Sequence, residues 1–153
     1  MRFVLDHRGS TLRHIDRVVE GIILAQKVTD SPEFYHRISS KMEPFDPRFT
    51  SEDATPEAVS ATLRGASIVV RVRLQKARRK VLGWTYAADP SVVYLNIRRL
   101  DRTPIDIART LVHEWVHAVD AVSDLEFHHG NNSRNGKSES APYWIDDLAG
   151  KLL

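Results

Sequence analysis

The sequence predicts one α+β domain over residues 1–153, with helices towards both ends, a small three-stranded and mainly antiparallel sheet, and one long, strongly capped helix followed by an irregular stretch. Three features carry this reading. Apolar residues recur at helical steps over 11–28, three short runs of strand character succeed one another across 67–97, and Thr103-Pro104-Ile105-Asp106 opens a helix. At 153 residues, 42% hydrophobic and 27% charged, the chain has ordinary globular composition and room for one core, which excludes a disordered chain or a fibrous repeat.

In the first helix Leu12, Ile15, Val18, Val19, Ile22 and Ile23 recur at three- and four-residue steps, with Arg13, Asp16, Arg17 and Glu20 between them, so one face is core. From Thr29 to Pro56 four prolines interrupt short aromatic and acidic pieces, which reads as loop with at most short helical turns. Residues 57–64 form a helix that stops at Gly65. Ser67–Gln75 has strand period through Ile68, Val70, Val72 and Leu74. After the basic turn Lys76–Lys80, the runs Val81–Ala87 and Ser91–Ile97 flank Ala88-Asp89-Pro90 and complete the sheet. At the long helix Thr103 supplies a cap, Pro104 the first helical position and Asp106 a first-turn carboxylate, and the pattern continues to about Ser123. A polar stretch, Asp124–Ser140, precedes a final helix opened by Pro142.

Cysteine is absent, so disulfides, cysteine zinc fingers, iron–sulfur clusters and thiol nucleophiles are excluded, and any metal must be held by histidine and carboxylate. No apolar run approaches the roughly 20 residues of a membrane span, and the N-terminus meets charge too early for a secretory signal; residence in the cytoplasm is the expectation. The net charge of +2 hides an asymmetry: ten Lys and Arg between 64 and 102 face only Asp89 and Asp101. Such a flank, densest at residues 71–80, suits an acidic partner such as nucleic acid, although solvated strand and turn positions account for many charge runs.

Within the long helix lies His113-Glu114-Trp115-Val116-His117. Four residues are about 400° of helix, so both imidazoles leave one face, one turn apart, and can chelate one zinc ion. Glu114, about 100° round, can address a water on the metal instead of the metal itself. Zinc lowers the pKa of such a water to about 7, and a carboxylate beside it can take the proton and later hand it to a leaving amine, which is the chemistry of amide hydrolysis. With seven histidines in the chain, about 0.02 chance occurrences of this pattern are expected. A buried helix whose histidines only hydrogen-bond would need partners for three polar groups in an apolar setting, at several kcal/mol each.

A catalytic zinc takes a third protein ligand and keeps one position open. Candidates downstream are His129, His128, Glu139 and Asp120, in that order: imidazole is a favoured ligand and Gly130 lets the chain turn back, Glu139 falls on a loop before the last helix, and Asp120 is short and better suited to supporting a ligand. Tyr143 and Trp144 belong to the core first and to a cleft second, Tyr143 as an oxyanion donor. The glycines of Gly130–Ser138 are spaced wrongly for a phosphate loop, and no G-x-S-x-G elbow is present.

Leu95-Asn96, then Thr110-Leu111-Val112-His113-Glu114-Trp115-Val116-His117-Ala118 and His129-Gly130, resemble the zincin metalloproteases, most nearly the SprT-like (Spartan) group, over residues 81–130. The resemblance implies a zincin-like fold around an active-site helix, His113, His117 and His129 as zinc ligands, and Glu114 as general base. It also implies that Val81–Ala87, around Gly83 and Trp84, is the sheet edge that takes a protein or peptide substrate as an added strand. A zinc-dependent peptidase is thus expected. The alternatives are a DNA-binding or scaffolding domain with a structural or vestigial zinc site, and an exported toxin-type peptidase.

Overall fold

A computed structural model describes residues 2–6, 13–130 and 134–153. In chain order these form β1 (Arg2–Leu5), α1 (Ile15–Thr29), α2 (Pro32–Ser39), α3 (Pro56–Gly65), β2 (Val69–Gln75), β3 (Gly83–Tyr86), β4 (Asp89–Asn96), a 3₁₀ turn (Ile97–Arg99), α4 (Pro104–Asp120) and α5 (Ala141–Leu152). The architecture is α+β, with five α-helices and one sheet among the described residues. None of the described helices is long and apolar enough to cross a membrane.

The helices follow their local signals. α1 buries Val18, Gly21, Ala25 and Val28, a three-four-three spacing that keeps one stripe inward; Leu12 and Asn131–Ser133, part of the glycine-flanked stretch, lie outside the described residues. At α4 the Thr103 hydroxyl accepts from the Asp106 backbone N–H at 3.1 Å and donates to the Asp106 carboxylate at 2.7 Å, and Pro104 opens the helix. The stretch 29–56 holds more order than its prolines suggest. Pro32 starts the eight-residue α2, whose Phe34, Tyr35 and Ile38 are buried.

The sheet corrects the expectation of three antiparallel strands. It has four, in the order β1-β2-β4-β3, and it is mixed. β1 runs parallel to β2 and β2 parallel to β4, and β3 alone is antiparallel to its neighbour. The reason lies in the loop 76–82, which carries the chain round the end of β4 instead of closing a hairpin, so that β3 takes the outer edge. Asn96, fully buried at that end, holds the crossing. Its Oδ1 accepts from the backbone N–H groups of Ala77 and Arg98, each at 3.1 Å, and its Nδ2 donates to the carbonyls of Arg78 at 2.9 Å and Val81 at 2.8 Å. β1 escaped the sequence because four residues carry too little pattern; its pairing with β2 makes it a strand.

Strand register sorts the side chains. Phe3, Val70, Val72, Gly83, Thr85, Val93 and Leu95 share one face, and Val4, Arg71, Arg73, Trp84 and Tyr94 share the other. The first face packs under the helices, and its valines and Leu95 are fully buried in one core with Ile107, Leu111, Val112, Trp115 and Val116 of α4. Edge strand β3 therefore lies directly against the helix that carries the histidines.

Candidate metal centre

α4 presents His113 and His117 one turn apart, and their rings lie 5.0 Å centroid to centroid. The third imidazole is His129. Its Nε2 stands 3.0 Å from Nε2 of His113 and 2.8 Å from Nε2 of His117. Among the described residues this is the one group of three or more His, Asp or Glu arranged to hold a metal ion.

The donor set fits a cation. Three nitrogens bound to one zinc at about 2.0–2.1 Å with tetrahedral angles stand about 3.3 Å apart, close to the separations found. Three imidazoles converging through Nε2 cannot all be satisfied by sharing protons among themselves, because neutral imidazole has one donor and one acceptor nitrogen; a central cation uses all three lone pairs. Burial, with His113 and His129 beside it, holds His117 well below the usual imidazole range, so at neutral pH it keeps the lone pair a metal needs. His113, His117 and His129 can hold a metal ion.

Choice of His129 over His128 follows from the path of the chain. Asp120, at the end of α4, accepts from the Phe127 backbone N–H at 2.6 Å, and Phe127 is fully buried and bridges to Thr50. The Ser51 N–H adds a bond to the Glu126 carbonyl at 2.8 Å. In this extended stretch alternate residues face opposite ways, so Phe127 and His129 point inward and His128 outward, beside the Phe49 ring. Gly130, at φ +71°, then takes the left-handed conformation that ends the stretch. Asp120 thus supports the loop and is not in the cluster; burial raises its pKa. Glu139 lies on the loop before α5, exposed and paired with Lys41 at 3.3 Å.

Glu114 is buried beside the cluster, under β3. It accepts a hydrogen bond from the Thr85 backbone N–H, and burial pushes its pKa up to about 7, against the lowering effects of His113 and of that bond. Gly83 permits the approach: a Cβ there would stand 2.8 Å from Thr110 Cγ2, 3.0 Å from the Tyr94 carbonyl and 3.4 Å from Glu114 Cγ. Trp84 faces the other way, stacked on Tyr94 at 5.1 Å and 7°. Gly83 and Trp84 are therefore both on the edge strand, but Gly83 alone lies against the helix.

α5 closes the other side. The Tyr143 ring lies 4.6 Å from both His113 and His129, nearly parallel to the latter, and Arg134 sits 5.1 Å over it; Trp144 packs on Phe45 instead. Sequence reasoning missed Asp146 and Arg109. Asp146 Oδ2 is 2.9 Å from His113 Nδ1, and Arg109 reaches Oδ1 of the same carboxylate at 2.7 Å while also pairing with Asp147. Their signal was present: Arg109 precedes His113 by four residues, and Tyr143, Asp146, Asp147 and Gly150 recur at helical spacing. The chain matches no family model, no curated protein and no solved structure.

Proposed function

We propose that this protein is a zinc-dependent peptidase of zincin type, similar to the SprT-like group, acting in the cytoplasm on a protein or peptide strand laid along β3. The observation that carries the reading is the convergence of three imidazole Nε2 atoms beside a buried carboxylate, directly beneath a sheet edge. His113, His117 and His129 would hold the zinc, which when bound supplies an acidified water and polarises a carbonyl. Glu114, with a pKa near 7, takes a proton from the attacking water on its carboxylate and releases it to the departing amine nitrogen. The Thr85 N–H fixes the carboxylate for that task. β3, paired on one side only among the described residues, orients substrate by backbone hydrogen bonds.

Glu114→Gln tests this. The amide matches the carboxylate in shape but cannot accept the proton, so the variant should keep its zinc and fold and lose at least about 100-fold in peptide cleavage. The readout is a peptide-library digest followed by mass spectrometry, with and without chelator. Equal cleavage by both proteins rejects Glu114 as base, and unaltered function of every other kind in the variant identifies a metal-bearing scaffold.

A specific observation favours an additional acidic partner. Lys76, Arg78, Arg79 and Lys80 are exposed on the loop that Asn96 holds, Arg99 pins that loop through the Arg79 carbonyl at 2.6 Å, and none of these five pairs with a carboxylate among the described residues. Arg71 and Arg73, by contrast, face Asp89 at 3.6 Å and Asp6 at 2.8 Å. The loop, more than the strand, is the part suited to nucleic acid.

A further inference from the structure

We infer that Asp146 is a positioning residue for the metal site: it fixes the His113 ring so that Nε2 faces the cluster, with Arg109 and Gly150 seating Asp146 in turn. This rests on the reading of the three histidines as metal ligands. The two oxygens of Asp146 have divided duties, Oδ2 towards His113 Nδ1 at 2.9 Å and Oδ1 towards Arg109 Nη2 at 2.7 Å and Nε at 3.2 Å. Asp146 is buried, so neither bond is exchanged freely with water. A carboxylate at Nδ1 requires the proton there, which leaves the lone pair on Nε2, the atom that stands 3.0 Å from His129 Nε2. Arg109 is what lets a carboxylate be buried there: an isolated buried charge is costly, and a guanidinium donating two N–H groups to Oδ1 offsets it.

Position follows from helix geometry. Arg109 and His113 are one turn apart on α4, and Asp146 and Gly150 one turn apart on α5. At Gly150 the helices come close enough that a Cβ would stand 2.7 Å from Arg109 Cδ. The guanidinium therefore reaches Asp146 because position 150 has no side chain. Asp147 is a built-in contrast. It pairs with Arg109 and Arg134 but bonds no histidine among the described residues.

The experiment compares wild type, Asp146→Ala, Asp146→Asn and Asp147→Ala by zinc titration against a competing chelator. Circular dichroism verifies the fold, and ¹⁵N shifts of the histidine rings are measured in the metal-free proteins. Asp146→Ala should bind zinc about 10–100-fold more weakly than wild type, and Asp147→Ala close to wild type. Asp146→Asn should fall between, because one amide cannot accept from both His113 and Arg109. In metal-free wild type His113 should carry its proton on Nδ1, and in both Asp146 variants that preference should disappear. Should Asp146→Ala fail to fold, the asparagine variant and the tautomer of the wild-type ring still decide the matter. Zinc binding by wild type with unchanged affinity in both Asp146 variants would overturn this assignment alone, as would an Nε2–H tautomer of His113 in the wild type. No zinc binding by any of the four would overturn the metal reading and this inference with it.

Discussion

α4 packs chiefly on two helices, α1 and α5, and it meets them by different means. Against α1 the contact is apolar and shaped around a glycine: a Cβ at Gly21 would stand 2.7 Å from Ile107 Cγ2 and 3.1 Å from the Pro104 carbonyl. Against α5 apolar packing through Ile145 and Ala149 is joined by a polar row, Arg109, Asp146 and His113, again closed over a glycine, Gly150. One helix is thus held by one face and carries a candidate metal centre beside another. The α1 side contributes by removing apolar area from water. The polar row on the α5 side adds little net stability of its own, because buried ion pairs lose in desolvation much of what they gain in attraction, but it bears on the orientation of the His113 ring.

The largest effect expected on the polar side comes from the ligands. His129→Ala should abolish tight zinc binding and any cleavage with it, whereas His128→Ala should leave one zinc per chain, as measured by metal analysis after gel filtration. An empty site in His128→Ala would mean that the loop after Phe127 has the opposite facing.

On the apolar side Ile107→Ala should cost about 2–5 kcal/mol of stability in denaturant unfolding, since Ile107 is fully buried over Gly21. The folded fraction should still bind zinc with the affinity of wild type. A large loss of zinc affinity in that variant would show that the two faces of α4 are coupled.

The sharpest comparison uses one substitution at both interfaces. Gly21→Ala places a methyl group against Ile107 and a backbone carbonyl, which cannot swing aside, and overpacking of this kind costs about 1–3 kcal/mol, outweighing the gain of about 1 kcal/mol in helix propensity. Gly150→Ala meets the flexible end of Arg109, which can move. It should change thermal stability little and weaken zinc binding by unseating Asp146. Melting temperatures and chelator titrations on the two variants should therefore rank them in opposite orders.

The smallest effect concerns the basic loop, remote from both interfaces in role. If it binds nucleic acid, affinity should fall steeply with salt. Replacing Arg78, Arg79 or Lys80 by Ala should then lower the salt slope by about one for each phosphate that the side chain had neutralised, in fluorescence anisotropy with single- and double-stranded DNA. Arg71→Ala should matter less, because Asp89 and Ser91 already engage that side chain.

Much of this molecule was legible without coordinates, for a physical reason that recurs in each case: the signal was local. The Thr103 cap and Pro104 set the start of α4, the four-residue step of His113 and His117 placed both rings on one face, and the paired runs around Ala88 became the β3–β4 hairpin. The expectation for 29–56 failed on α2, where Pro32 is a helix start in place of a break.

Tertiary packing set whatever depends on residues distant in the chain. The order β1-β2-β4-β3 follows from where the loop 76–82 crosses, and Asn96 fixes that crossing with four bonds whose partners lie up to nineteen residues away. His129 enters the cluster because Asp120 and Thr50 hold the Phe127 stretch extended, a fact of pairing that no spacing from His117 contains. Asp146 meets His113 thirty-three residues from it in sequence, through the packing of α5 on α4. Periodicity and capping are written within a few residues because a helix turn or a strand pleat spans only a few residues. Which faces meet is chosen by the whole core at once, and so only the folded chain shows it.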